Sequence, residues 1–87
     1  MTEKKIWARI LTLLYLNEDP MTINEIVKCT DLTRNQVRKC MPLLISYNYV
    51  RRQLIENPAP KGEKLKWSIK EHQKNMAYKY LSARGYL

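Results

Sequence analysis

Two copies of one helix-start signal, eleven residues apart, constrain the fold of this chain more than any other feature of its sequence. Residues 22–25 read Thr-Ile-Asn-Glu, and residues 33–36 read Thr-Arg-Asn-Gln. In such a capping box, the threonine hydroxyl and the glutamate or glutamine side chain each accept a hydrogen bond from a free backbone N–H at the helix start. The sequence therefore predicts two short helices joined by a tight turn at residues 30–32.

Apolar residues at helical spacing predict another helix before this pair. They also predict which side of the helix from Thr33 is buried. A first helix, capped by Thr2, ends at residues 17–20, and its stripe consists of Ile6, Trp7, Ile10, Leu11 and Leu14. The helix that begins at Thr33 reaches about Tyr47, and its stripe consists of Val37, Met41, Leu44 and Ile45. Pro42 lacks the N–H that would bond the carbonyl of Arg38, so we expect a kink or an early end there.

The apolar period changes from 3.6 to 2 after Asn48, which predicts a β-hairpin. Residues 49–56 form its first strand, residues 57–63 the loop with two prolines and a glycine, and residues 65–69 the return strand that buries Trp67. A third possible capping box at residues 68–71 then opens a C-terminal helix that ends before Gly85. The predicted fold class is α+β, mainly α, with three helices, a two-stranded hairpin and a C-terminal helix.

The positive charge is concentrated in the later part of the chain. Residues 1–33 hold four basic and five acidic residues, a net charge of −1, whereas residues 34–87 hold twelve basic and three acidic residues, a net charge of +9. Clustered Lys and Arg favour a polyanionic partner. A solubilising basic surface is the alternative interpretation.

Length and composition limit the remaining possibilities. The 87 residues suit a single domain, and no uncharged run approaches the roughly 20 residues that a membrane-spanning helix needs. With no N-terminal signal peptide predicted either, we expect a cytoplasmic protein. The single His, the few glycines and the lack of a Ser-His-Asp set give no catalytic site, so no enzyme activity is expected.

The order of these elements resembles a winged helix-turn-helix domain. Residues 21–52 are similar to the helix-turn-helix and first wing strand of small MarR-, ArsR- and PadR-like regulators, and residues 61–67 are similar to their wing tip and return strand. The resemblance implies a helix-turn-helix at 22–48, a wing at 49–69 and a C-terminal helix at 70–84. It also implies that the protein is a transcriptional regulator that binds double-stranded DNA in a sequence-specific manner.

By this resemblance, the helix from Thr33 enters the major groove and the hairpin contacts backbone or minor groove. The predicted DNA-binding residues of the helix are Thr33, Arg34, Asn35, Gln36, Arg38 and Lys39. Those of the hairpin are Arg51, Arg52, Lys61, Gly62, Lys64 and Lys66. Two alternatives use the same fold: binding of RNA through exposed aromatic residues, and a protein-interaction module, which would need an apolar helix face.

The terminal helices carry more apolar residues than one small core needs, and the resemblance implies that they form a homodimer. The candidate dimerisation residues are Trp7, Leu11, Met76, Tyr80, Leu81 and Leu87. The alternative is that these helices pack within their own domain.

Cys29 and Cys40 lack the spacing of a zinc site, so free thiols are expected, with a disulfide between them as the alternative. No cofactor, metal or small-molecule substrate is predicted.

Overall fold

In a computed structural model of the protein, residues 3–58, 60 and 62–87 are described, and only the backbone is described for residues 3–5. The elements are α1 (Glu3–Leu16), α2 (Ile23–Thr30), α3 (Arg34–Ser46), β1 (Val50–Leu54), β2 (Leu65–Ile69) and α4 (Lys74–Ala83). The fold is mixed α+β and mainly helical, which confirms the predicted class. None of the described helices is long and apolar enough to cross a membrane. The predicted cap at Thr2 and the predicted contact at Lys61 lie outside the described residues.

Both predicted capping boxes are confirmed at the starts of α2 and α3. The hydroxyl of Thr22 accepts the N–H of Glu25 at 3.2 Å, and the Glu25 carboxylate accepts the N–H of Thr22 at 3.1 Å. The same exchange joins Thr33 and Gln36, at 3.1 and 2.9 Å. Asp31, in the left-handed conformation with φ of 58°, ends α2 and leaves a tight turn before α3. The predicted pair of short helices is therefore present.

Pro42 lies inside α3, which continues to Ser46, so the early end considered for this helix does not occur. The ring of Pro42 is exposed, whereas Met41 and Leu44 beside it are buried. The ring therefore occupies the outer side of the helix and leaves the packed side uninterrupted. The predicted apolar stripe of this helix does not include Pro42, in agreement with this position.

Left-handed residues end α3 and α4. Asn48 has φ of 66°, and the next residue, Tyr49, donates its N–H to the carbonyl of Leu44 at 3.2 Å. Gly85 has φ of 80°, and Tyr86 donates its N–H to the carbonyl of Leu81 at 2.9 Å. Both ends are Schellman motifs, which satisfy carbonyls that have no partner within the helix. At Asn48 the motif turns the chain from α3 directly into β1.

The two strands form an antiparallel hairpin, with Val50 opposite Ile69, Arg52 opposite Trp67 and Leu54 opposite Leu65. The first strand is shorter than the predicted 49–56. Trp67 is buried, as predicted, and it also exchanges backbone hydrogen bonds with Met21, at 2.7 and 2.8 Å. Met21, two residues before α2, is thereby attached to the outer edge of β2.

The third capping box is wrong. Ser68 lies in β2 opposite Arg51, and its place in the ladder prevents it from starting a helix. The chain instead passes through one 3₁₀ turn, Glu71–Gln73, and Lys70, at the start of this turn, makes no side-chain cap. The C-terminal α-helix therefore begins at Lys74, four residues later than predicted.

One core joins α1, α2, α3, α4 and the inner face of the sheet. Three predicted dimerisation residues belong to this core, with Trp7 7% exposed and Leu11 and Leu81 0% exposed. These three side chains therefore have little or no accessible surface left for contact with a second copy. Tyr80 is partly buried and stacks on Trp7 with ring centroids 5.1 Å apart. Only Met76 and Leu87 of the predicted set are exposed hydrophobic residues.

The two cysteines differ in their environment. Cys29 is exposed near the end of α2, and Cys40 is buried in α3. No disulfide joins Cys29 and Cys40, so the alternative of a disulfide between them is not realised here.

Replacing Thr33 by alanine is expected to lower the free energy of unfolding by about 1 kcal/mol, the usual loss of an N-cap hydroxyl. Thr33→Ser keeps the hydroxyl and should retain most of that stability. Urea unfolding of the three proteins measures the difference. Equal losses for the alanine and serine variants would show that the capping bond does not stabilise α3.

Candidate functional site

The exposed side of α3 is polar and basic, and its opposite side is apolar. The exposed residues in its first two turns are Arg34, Asn35, Arg38 and Lys39. The buried ones are Val37, Cys40, Met41 and Leu44. Residues 32–55 contain no Asp or Glu, so no acidic residue of α3 itself offsets these cations. The helix therefore presents three positive charges and one amide on a single surface.

Two of the predicted contact residues in α3 already have partners within the helix start. The Thr33 hydroxyl and the Gln36 amide oxygen form the capping box, and Gln36 is half-buried. These side chains therefore start the helix. Asn35, Arg38 and Lys39 extend from the helix with their side chains exposed.

The hairpin cations do not share one face, because neighbouring strand residues point to opposite sides of a sheet. Arg52 lies opposite Trp67, and its guanidinium carbon is 6.0 Å from the centroid of the Trp67 ring. Arg51 points to the other side, where Ser68 lies opposite it and Lys66 lies on the same face. The predicted cluster of hairpin cations is therefore divided, with Arg51 and Lys66 on the outer face.

A groove of about 300 Å³ separates α3 from the hairpin. We call it the α3–hairpin groove, and its lining residues are Ile23, Arg34, Arg38, Glu63, Lys64, Leu65 and Trp67. Lys64 and the two arginines come from opposite walls, so the fold brings together three of the predicted DNA-binding residues. Gly62 is exposed one residue before Glu63.

Glu63 is the site residue that the sequence interpretation missed. Both of its carboxylate oxygens lie 3.2 Å from the backbone nitrogen of Asn24 in α2, and one lies 3.7 Å from Nη1 of Arg34. Arg34 also donates to the side-chain oxygen of Asn24. These contacts connect the hairpin, α2 and α3 at one point. The only sequence signal was Glu63 itself, an acidic residue inside a basic hairpin.

A second group of side chains lies beyond the C-terminal end of α3. It forms an open pocket lined by Trp7, Tyr47, Tyr49, Tyr80 and Arg84. Tyr47 is 52% exposed, and the Arg84 guanidinium lies 3.8 Å from the centroid of the Tyr80 ring. Of two tyrosines near the C-terminus, Tyr78 is exposed and Tyr86 is half-buried. The exposed aromatic rings therefore lie apart from the basic groove.

In the described part of the chain, no three His, Cys, Asp or Glu side chains come together as metal ligands. The α3–hairpin groove instead combines three cations with one carboxylate. The cations attract an anion, and the carboxylate repels it, so the anion is favoured at positions away from Glu63. No protein-family model, no curated protein and no solved structure matches this chain.

Proposed function

We propose that the protein is a winged helix-turn-helix transcriptional regulator that binds double-stranded DNA in a sequence-specific manner. In this proposal α2 and α3 are the helix-turn-helix, the hairpin is the wing, and α3 lies in the major groove. The observation that carries it is the separation of α3 into a buried apolar side and an exposed side with Arg34, Asn35, Arg38 and Lys39. Arginine pairs with guanine, and asparagine with adenine, through two hydrogen bonds each.

The wing contributes phosphate contacts. Lys64 lies across the groove from Arg38, and Arg52 lies on the face of the hairpin that carries Trp67. Contacts of this kind set affinity and register, whereas base contacts set sequence preference. The exposed cations on both sides of the groove support a duplex whose backbone passes along the hairpin while α3 reaches the bases.

A homodimer is the proposed oligomeric state, now restricted to the exposed part of the predicted set, Met76 and Leu87. A two-fold dimer would place two α3 helices about 34 Å apart, one turn of DNA. The stoichiometry of DNA binding distinguishes one copy from two on each site.

Fluorescence anisotropy with labelled duplex DNA, single-stranded DNA and hairpin RNA tests the proposal. Tighter binding of the duplex supports it. Tighter binding of RNA would favour the RNA-binding alternative, for which Tyr47 and Tyr78 provide exposed rings. A lack of binding to all three at low salt would favour a protein-interaction module, although the exposed α3 face is basic where such a module needs apolar residues.

Replacing Arg38 by alanine is expected to weaken binding to a duplex selected from a random library by about 1–3 kcal/mol, the worth of one paired base contact. Binding to unrelated duplexes should fall much less. Lys79→Ala, which removes an exposed cation from α4, is the matched control and should change neither affinity. Equal losses on both kinds of DNA would assign Arg38 to phosphate contact.

A further inference from the structure

The Glu63 carboxylate occupies the start of α2. Asn24 is the second residue of this helix, and its N–H is one of the amides that has no partner within a helix. Both carboxylate oxygens of Glu63 lie 3.2 Å from this nitrogen, where a negative charge is favoured by the helix dipole. The Glu63 side chain is only 21% exposed. The hairpin is therefore attached to α2 through a side chain 39 residues away in sequence.

The same carboxylate holds the first residue of α3. Nη1 of Arg34 lies 3.7 Å from Glu63, and the other terminal nitrogen donates to the Asn24 side chain. An arginine side chain without partners at an exposed helix start samples many rotamers. With partners in both α2 and the hairpin, the Arg34 guanidinium has a defined orientation although 53% of the side chain remains exposed.

We propose that Glu63 is a positioning residue that determines sequence specificity, by orienting Arg34 and by fixing the hairpin relative to α3. This inference rests on the proposed function. Paired hydrogen bonds to a base edge need a donor with a fixed direction, and a preorganised donor loses less entropy on binding. Glu63 thus fixes the direction of the Arg34 guanidinium in the protein without DNA.

The negative charge of Glu63 also lowers the affinity for DNA of any sequence. A carboxylate in the groove repels phosphates of every sequence equally, so its removal strengthens binding to any duplex. An orienting role predicts the opposite change in specificity, because a mobile Arg34 discriminates less well between bases. The ratio of affinities for preferred and unrelated duplexes therefore separates orientation from charge.

Four proteins test the inference: the natural sequence, Glu63→Asp, Glu63→Gln and the control Glu56→Gln. Aspartate keeps the charge but is one methylene too short, so we expect the affinity ratio to fall about tenfold while affinity for unrelated DNA stays the same. Glu63→Gln should lower the ratio and strengthen binding to unrelated DNA. Glu56 is exposed in the same hairpin, so Glu56→Gln should strengthen binding to both duplexes and leave the ratio unchanged.

Amide hydrogen exchange of Asn24, followed by NMR without DNA, gives a second readout. Exchange should accelerate in Glu63→Asp and be unchanged in Glu56→Gln. If the natural protein discriminates between duplexes and both Glu63 variants keep its full affinity ratio, the inference is overturned and the proposed function stands. If the natural protein prefers no duplex sequence, the proposed function fails, and the inference fails with it.

Discussion

Leu44→Ala is expected to lower the free energy of unfolding by about 2–5 kcal/mol, the range for truncating a fully buried leucine. Leu44 is 0% exposed in the middle of the apolar side of α3, and its carbonyl accepts the N–H of Tyr49 at the helix end. Alanine at this position leaves a cavity among residues of α1, α3 and the sheet. A domain of this size has a total stability of about 5–15 kcal/mol, so this loss is a large part of it.

Leu16→Ala provides the matched control, because Leu16 is also helical but 65% exposed. Its effect on the free energy of unfolding should stay within about 0.5 kcal/mol. Urea unfolding monitored by tryptophan fluorescence measures both variants, since Trp7 and Trp67 lie in the core. Equal losses at the two positions would contradict the assignment of Leu44 to the core side of α3.

The helix starts could be predicted from the sequence because the interactions that determine them are local. Thr22 and Glu25 are three residues apart, as are Thr33 and Gln36, and each pair satisfies its own backbone amides. The left-handed conformation at Asn48 was predictable for the same reason, since a short polar side chain tolerates it. Local interactions alone thus predict where α2 and α3 begin and where α3 ends, without knowledge of the tertiary packing.

The third capping box shows where local reasoning stops. Ser68 satisfies the same pattern as the two real boxes, but it is also the partner of Arg51 in the hairpin. The ladder uses its backbone, and Lys70 donates its N–H to the carbonyl of Tyr49. A tertiary pairing therefore overrode the local signal and delayed the last helix to Lys74.

The apolar stripes indicated most of the buried side chains, with Ile45, which is 38% exposed, as an exception. They did not indicate which surface covers the buried side chains. The predicted dimer surface includes Trp7, Leu11 and Leu81, because the sequence holds more apolar residues than one small core needs. The structure uses all three in its own core, where Tyr80 stacks on Trp7. The candidate site was limited in the same way: the exposed cations of α3 were predictable, whereas the contact of Glu63 with α2 spans 39 residues and was not.

The charge of the groove follows from this combination of local and distant contacts. Arg38, Lys39 and Lys64 are exposed, whereas Arg34 has a carboxylate partner in Glu63. An acidic residue at this point lowers the attraction for phosphates in general. Glu63 offsets one of the positive charges of Arg34, Arg38, Lys39 and Lys64, and this favours discrimination over tight generic binding.

DNA binding is expected to depend strongly on salt. Arg34 and Arg38 are assigned to base contacts, which leaves Lys39, Arg52 and Lys64 as exposed cations for phosphate contacts. If about three phosphates are neutralised, log affinity falls against log salt with a slope of about −2.7, so raising salt from about 50 to 200 mM weakens binding about 40-fold. Anisotropy titrations of duplex DNA at several salt concentrations measure this slope.

Substitution of two neighbouring arginines on opposite faces of the hairpin tests which face contacts the DNA backbone. Arg52→Ala should make the salt slope shallower by about one, the effect of losing one phosphate contact. Arg51→Ala removes the same charge from the adjacent residue, but its side chain lies on the outer face with Lys66, so the slope should stay unchanged. Because the two variants have the same net charge, a difference between them reflects the orientation of the hairpin on DNA. Equal slopes for both variants would contradict a DNA path along the α3–hairpin groove.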